Sequence, residues 1–346
     1  MNFFDRRDVY AALDLGTTNC RLLVARPAGD SLRVVDSFSR IVRLGEGLQS
    51  SGVLSEPAMR RTIEALEICS AKLQQRRVTR ARFVATEACR QAANCGEFLR
   101  RVREGTGLAL EIIPTGEEAR LALVGCAPLL DPRLPHALVF DIGGGSTEIL
   151  WVGIKRRRSG RLRTEIRGIV SLPFGVVSLT ERFLSGDPPR RLFDDMVAQI
   201  CSEFEAFDAE WQIARQIARG GVQMLGSSGT VTTLTGIRLG LARYDRSQVD
   251  GVQLGFGDIA QIIGELVEMD AAGRAAQPCI GPGRADLMLA GCAILQAICT
   301  VWPVGRLRVA DRGVREGILA GLMEEARRAQ LVPELGACLP GLALPT

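Results

Sequence analysis

Twice in this chain an apolar run ends on an aspartate and breaks at once into glycine and hydroxyl residues. The first copy is Val9-Tyr10-Ala11-Ala12-Leu13 followed by Asp14-Leu15-Gly16-Thr17-Thr18-Asn19. The second is Ala137-Leu138-Val139-Phe140 followed by Asp141-Ile142-Gly143-Gly144-Gly145-Ser146-Thr147. Glycines let the backbone turn back and bring its N–H groups close to an anion with no Cβ in the way. The Ser and Thr hydroxyls add donors, and an aspartate beside them can hold a divalent cation directly or through water. Two such hairpins facing each other make a clamp for phosphate and metal. The pattern points to a phosphoryl-handling enzyme with a duplicated core.

Composition narrows the setting. With 346 residues, 47% of them hydrophobic, the chain can bury one large or two medium cores. Two domains are expected, 1–130 and 131–328, followed by a tail over 329–346. The start, Met1-Asn2-Phe3-Phe4-Asp5-Arg6-Arg7-Asp8, has no apolar core of a signal peptide. The longest apolar stretch, Leu287 to Trp302, is interrupted by Gln296 and is shorter than the roughly 18 residues a membrane span needs, so it reads as a buried helix. Ten cysteines at irregular spacing, without a C-x-x-C pair, read as reduced thiols and place the protein in the cytoplasm.

One absence restricts the chemistry. His136 is the only histidine, so His-rich metal sites and Ser-His or Cys-His nucleophile pairs are nearly excluded, and acid–base work falls to carboxylates. His136 itself reads as structural or surface. Lys72 and Lys155 are the only lysines, so 41 of the 43 basic residues are arginines, whose planar fork suits phosphate oxygens. No G-x-x-x-x-G-K-[ST] sequence occurs, which excludes a P-loop enzyme.

Along the chain, Tyr10–Leu13, Cys20–Arg26 and Leu32–Arg43 read as a strand meander, and Pro57–Gln75 has helical periodicity. A strand over Ala81–Ala85, helices from Glu87 and over Glu97–Thr106, a strand over Leu110–Ile113 and a helix over Gly116–Val124 follow. After an Asp131–Pro135 linker the strand–turn–strand theme restarts with Leu138–Asp141, Thr147–Ile154 and Arg161–Val170. The restart predicts an α/β fold of two similar lobes with a cleft between them. The basic run Lys155–Arg163 falls at a hairpin tip, where it is either a solvated turn or a landing site for a polyanion. Aromatic residues make up only 5% of the chain, without a stacking-platform motif, so no nucleic-acid partner is expected. A third glycine turn, Leu225-Gly226-Ser227-Ser228-Gly229-Thr230-Val231, precedes a helical Thr232–Leu239 and reads as another anion perch.

These residues together resemble the Ppx/GppA phosphatases, the exopolyphosphatase and guanosine pentaphosphate phosphohydrolase family of the actin-like ATPase superfamily. The resemblance runs from about Tyr10 to Met323. Besides the two aspartate turns, the second of which continues into Glu148, it is carried by Ala85-Thr86-Glu87-Ala88-Cys89-Arg90-Gln91-Ala92, Gly116-Glu117-Glu118-Ala119-Arg120, Gly226–Thr230 and Arg284-Ala285-Asp286. The last stretch is Val309-Ala310-Asp311-Arg312-Gly313-Val314-Arg315-Glu316-Gly317.

The resemblance implies two actin-like ATPase (ribonuclease H-like) lobes that hydrolyse terminal phosphoanhydride bonds with Mg2+ in the cleft. It makes Glu118 the residue that activates water, with Asp141 and Glu148 as further catalytic carboxylates and Asp14, Asp141 and Glu148 as metal ligands. Gly16, Thr17, Thr18, Asn19, Gly143, Gly144, Gly145, Ser146 and Thr147 would cradle phosphate, with Arg90 and Arg284 facing it. Glu117 would only complement the helix dipole. The chain departs from the family in reading Gly16-Thr17-Thr18-Asn19 where Gly-Ser-Asn-Ser is usual, and in lacking the carboxy-terminal His-Asp domain of the long members. The substrate implied first is inorganic polyphosphate, with guanosine pentaphosphate as the alternative. A non-catalytic polyphosphate or alarmone sensor and a kinase or ATPase of the superfamily rank below them. The Leu287–Trp302 helix and the last helix near Glu324 offer faces for a homodimer.

Overall fold

The computed structural model describes residues 8–29, 31–156, 162–183 and 189–336. Two sheets dominate it. The first contains β1 (Tyr10–Leu15), β2 (Asn19–Ala28), β3 (Ser31–Ile41), β4 (Arg80–Ala85) and β5 (Glu111–Ile112), in the order β3-β2-β1-β4-β5. The second contains β6 (His136–Ile142), β7 (Thr147–Arg156), β8 (Leu162–Leu172), β9 (Val222–Ser228), β10 (Gln253–Gly255) and β11 (Arg306–Ala310), in the order β10-β11-β9-β6-β7-β8.

The two sheets share one plan. In each, an antiparallel three-strand meander begins with the aspartate-bearing strand, whose other edge pairs in parallel with the next strand along, β4 beside β1 and β9 beside β6. Asp14 and Asp141 are each the second-to-last residue of their strand, so both carboxylates stand at the same end of equivalent strands. The duplication read from the two glycine turns is therefore a duplication of topology. The expected strands and helices all form, with ends displaced by at most a few residues.

The helices of the first half are α1 (Leu48–Ser51), α2 (Glu56–Gln75), α3 (Glu87–Gln91), α4 (Cys95–Thr106) and α5 (Thr115–Cys126). Those of the second half are α6 (Val176–Arg182), α7 (Pro189–Trp211), α8 (Ile213–Ala218), α9 (Gly229–Arg238), α10 (Arg246–Val249), α11 (Phe256–Glu268), α12 (Ala271–Ala276), α13 (Met288–Val301) and α14 (Val314–Gly336). Ser55 caps α2 by accepting from Ala58 N, with Pro57 in the first turn where its missing N–H costs nothing. One face of α2 then buries Met59, Leu66 and Leu73 against the first sheet together with Phe98 and Val102 of α4. The apolar Leu287–Trp302 stretch is α13, buried on nearly every side, as its all-round hydrophobicity requires.

Two helices tie the lobes together. From the first half, α5 lays Ala119, Leu123 and Cys126 on the second sheet against Val139, Leu150 and Leu225. From the end of the chain, α14 returns to cover the first sheet, placing Val314, Ile318 and Leu319 on Tyr10, Ala12 and Leu23. Their contact has no room for side chains: a Cβ on Gly317 would stand 2.0 Å from Leu121 O, and one on Gly125 2.1 Å from Gly313 O. The tail expected from residue 329 begins inside α14, which continues to Gly336. Arg156 pairs with Leu162, so the basic run spans a hairpin as expected, while residues 157–161 lie outside the described residues. No helix among the described residues is long and apolar enough to cross a membrane.

Candidate active site

Both aspartate turns close in the same way. Gly16 N donates to Asn19 O at 2.9 Å, and Gly143 N donates to Ser146 O at 2.9 Å. The turns face each other across the lobes in close contact, and a Cβ on Gly144 would stand 2.2 Å from Thr18 Oγ1 and 3.1 Å from Thr18 N. Glycine is required there by the approach of the two turns, which no side chain could enter. A cavity of about 420 Å3 opens beside this contact.

Of the residues expected from sequence, Asp14, Gly16, Thr17, Thr18, Asn19, Glu118, Asp141, Gly143, Gly144, Gly145, Ser146 and Arg284 line the cavity. Arg90, Thr147 and Glu148 stand behind it. Thr147 Oγ1 donates to Phe174 O at 3.0 Å, and Glu148, 3% exposed, accepts from Ser171 Oγ at 3.0 Å. Arg90 donates through Nη1 to Glu118 Oε2 at 2.8 Å and to Ile113 O at 2.9 Å, and through Nε to Glu87 Oε2 at 2.8 Å. The third glycine motif forms the expected strand, turn and helix. Ser228 caps α9 by accepting from Val231 N at 2.9 Å, and Ser228, Gly229 and Thr230 line the cavity.

Unbalanced polar groups concentrate here. The hydroxyls of Thr17 and Thr18 and the Oδ1 of Asn19 are buried without a hydrogen-bond partner among the described residues. A buried unpaired polar atom is costly, so these positions are suited to a polar ligand. The carboxylates repel one another. Burial, then Glu118 and Asp14, push Asp141 up to about 7. Burial, then Glu148, raise Glu118 to about 8 against the opposing pull of Arg90. Burial also raises Asp14 and Glu148. Glu117 is set apart from this group: Arg120 and Arg82 hold it down at about 2, in a surface ion-pair cluster.

Facing the carboxylates are arginines with unused donors. Arg21, Arg284 and Arg315 line the cavity, and none of their guanidinium groups makes a hydrogen bond or ion pair among the described residues. Burial lowers the pKa of Arg284 and Arg315, so each gains from an anion. Sequence reasoning found Arg284 and missed the other two. Neither carried a local signal: Arg21 reaches the cavity from β2, opposite Asp14 across the β1–β2 ladder, and Arg315 reaches it from the first turn of α14. On the far wall, Tyr244 OH donates to Asp311 Oδ2 at 2.5 Å and Arg246 Nη2 to Glu316 Oε1 at 2.7 Å. His136 is remote from all of this and stacks on Trp151, with ring centroids 5.0 Å apart.

The Ppx/GppA phosphatase family model matches residues 23–326. Among solved structures, the Aquifex aeolicus member of the Ppx/GppA family is 28% identical, with 92% of this chain and 98% of that one covered and a TM-score of 0.72. The type II variant of the Aquifex aeolicus Ppx/GppA phosphatase is 30% identical, covering 91% and 99%, at a TM-score of 0.67. An exopolyphosphatase from Cytophaga hutchinsonii, 22% identical, shares the fold at a TM-score of 0.79 over 92% of this chain and 98% of that one.

Proposed function

The chain belongs to the Ppx/GppA phosphatase family and has its two-lobed actin-like ATPase fold, and from that premise we propose that it is an exopolyphosphatase, releasing orthophosphate from the end of inorganic polyphosphate. The observation that carries this reading is the pairing of three uncommitted guanidinium groups with two unpartnered threonine hydroxyls around Glu118, Asp14 and Asp141. A linear polyanion needs repeated phosphate contacts more than it needs a shaped pocket, and arginines supply them.

In this reading the glycine turns direct N–H groups at the terminal phosphoryl group, and Thr17 and Thr18 complete the cradle. Glu118 takes a proton from the attacking water. The water oxygen bonds to the terminal phosphorus as the bridging P–O bond breaks, and the shortened chain leaves with the bridging oxygen. A glutamate raised toward neutrality by burial suits this proton transfer. Arg21, Arg284 and Arg315 hold the phosphates behind the terminal one.

The donor set also suits Mg2+. Among the described residues no three Asp, Glu, His or Cys converge as a metal cage. Mg2+, however, is usually held by one or two carboxylates together with substrate phosphate and water. The carboxylates of Asp14 and Asp141 line the cavity and accept no hydrogen bond among the described residues, and they would hold the ion with Glu148 behind them. Bound there, Mg2+ supplies positive charge against the phosphate oxygens.

A second reading, hydrolysis of guanosine pentaphosphate at the same site, has one observation in its favour: Phe38 and Tyr244 line the cavity, and aromatic rings are the side chains that stack on a base. Orthophosphate release from long-chain polyphosphate and from guanosine pentaphosphate, with Mg2+ and at equal concentrations of phosphate ends, separates the two. Faster release from polyphosphate is expected. Faster release from the nucleotide would overturn the choice.

A further inference from the structure

One residue of the first lobe grips the turn that carries Arg284 in the second. Arg43 donates through Nη1 to Asp286 Oδ2 and through Nη2 to Asp286 Oδ1, each at 2.8 Å, and Nη2 also donates to Gly283 O at 3.1 Å. Gly283 and Asp286 flank Arg284, so the guanidinium brackets the arginine that lines the cavity. A two-pronged contact of this kind fixes orientation as well as distance.

The other end of the connection is the first phosphate turn. Val42 N and Arg43 N donate to Thr18 O at 2.8 and 3.0 Å, and Gly45 N donates to Thr17 O at 3.0 Å. Arg61 holds the same strap from below, donating to Val42 O at 3.1 Å and to Glu46 Oε2 at 2.7 Å. Arg43 itself has φ 47°, a left-handed conformation that non-glycine residues avoid and that persists where surrounding contacts impose it. Here those contacts are the strap on one side and the Asp286 fork on the other.

We infer that Arg43 is a positioning residue that couples the Thr17-Thr18 turn of the first lobe to Arg284 of the second, so that both grip one phosphate chain only when the lobes are latched. The ion pair is half-exposed, with the two side chains 28% and 47% accessible, so it can open and close during turnover. The inference rests on the cleft being the phosphate site, and it holds for either substrate.

The test is a double-mutant cycle on the full chain, with calorimetric binding of inorganic tripolyphosphate as the readout. Arg43→Ala and Arg284→Ala are each expected to weaken binding about tenfold, and the double variant no more than Arg284→Ala alone, because Arg43 acts through Arg284. Arg43→Lys should recover little, since one ammonium cannot reproduce the fork. Arg43→Gly, which relieves the backbone conformation, should keep the melting temperature and still lose the binding. Unchanged binding in Arg43→Ala, or an equal further loss when it is added to Arg284→Ala, would overturn the inference. Hydrolysis is read separately: coupling observed in a protein that binds tripolyphosphate but releases no orthophosphate from polyphosphate refutes the exopolyphosphatase reading alone.

Discussion

Arg90 and Glu118 form an ion pair of 2.8 Å between two largely buried side chains, each about 15% accessible, and the same guanidinium reaches Glu87 at 2.6 Å. The arginine thus restrains the carboxylate proposed to take the proton from water. Removing one member of a buried pair leaves the other charge uncompensated. Arg90→Ala is expected to lower kcat about a hundredfold while KM changes less than about threefold, because a misplaced base harms chemistry more than binding. Steady-state kinetics with Arg90→Lys alongside, which should recover only part of the rate, checks this.

Gly144 stands where the two phosphate turns meet. A methyl group there would collide with Thr18 Oγ1 and Thr17 Cβ, at 2.2 and 2.9 Å. Gly144→Ala should therefore separate the turns and reduce turnover about a hundredfold, consistent with the sensitivity of rate to displacements of about an ångström. Gly116→Ala, whose Cβ meets nothing among the described residues within 4 Å, serves as the control and should keep most of the rate.

Two glycines of α14 make opposite predictions about stability. At Gly317 a Cβ would stand 2.0 Å from Leu121 O and 2.7 Å from Leu121 C, both backbone atoms that cannot rotate away. Gly317→Ala should cost about 2–4 kcal/mol, as overpacking of a tight contact does. At Gly321 an added Cβ meets nothing among the described residues within 4 Å, and Gly321→Ala should stabilise by about 0.5–1 kcal/mol through helix propensity. Thermal melts of the two variants should move in opposite directions.

The raised carboxylates make stability depend on pH. Asp14, Glu118, Asp141 and Glu148 all bind protons more tightly in the folded chain, mainly because they are buried. Their contribution is complete below the ordinary carboxylate range and is lost as pH rises through their folded values, about 7 for Asp141 and Glu148 and about 8 for Glu118. His136 acts oppositely, since burial lowers it and its contribution is lost on acidification. Protein treated with a chelator should melt at lower temperature at pH 8.5 than at about pH 5.5. Glu118→Gln should flatten that slope, and Mg2+ should raise the melting temperature most at the alkaline end. A rising slope would show that the carboxylates are not mutually strained.

Much of this site was legible in the sequence because its chemistry is local. Asp14 with Gly16 and Asp141 with Gly143 each announce a strand end and a tight turn within six residues, and the continuous apolar runs before them mark strands buried on both faces. What could not be read locally depends on contacts between distant segments. Arg90 looks like a phosphate ligand in its own motif, and only the fold brings it against Glu118, 28 residues on. Arg21 and Arg315 acquire a role because β2 and α14 converge on one cavity from opposite ends of the chain. The exchange of α5 and α14 between the lobes left no periodic mark either, since a helix face records that it is buried but not on which sheet.

The most direct measurement is orthophosphate release from long-chain polyphosphate with Mg2+ by the wild-type protein and by Glu118→Gln, with tripolyphosphate binding measured on both. The expected result is rapid release by the wild type, a loss of about a thousandfold or more in the variant, and binding that agrees within about threefold. A Glu118→Gln protein that turns over at the wild-type rate would contradict Glu118 as the base that activates water.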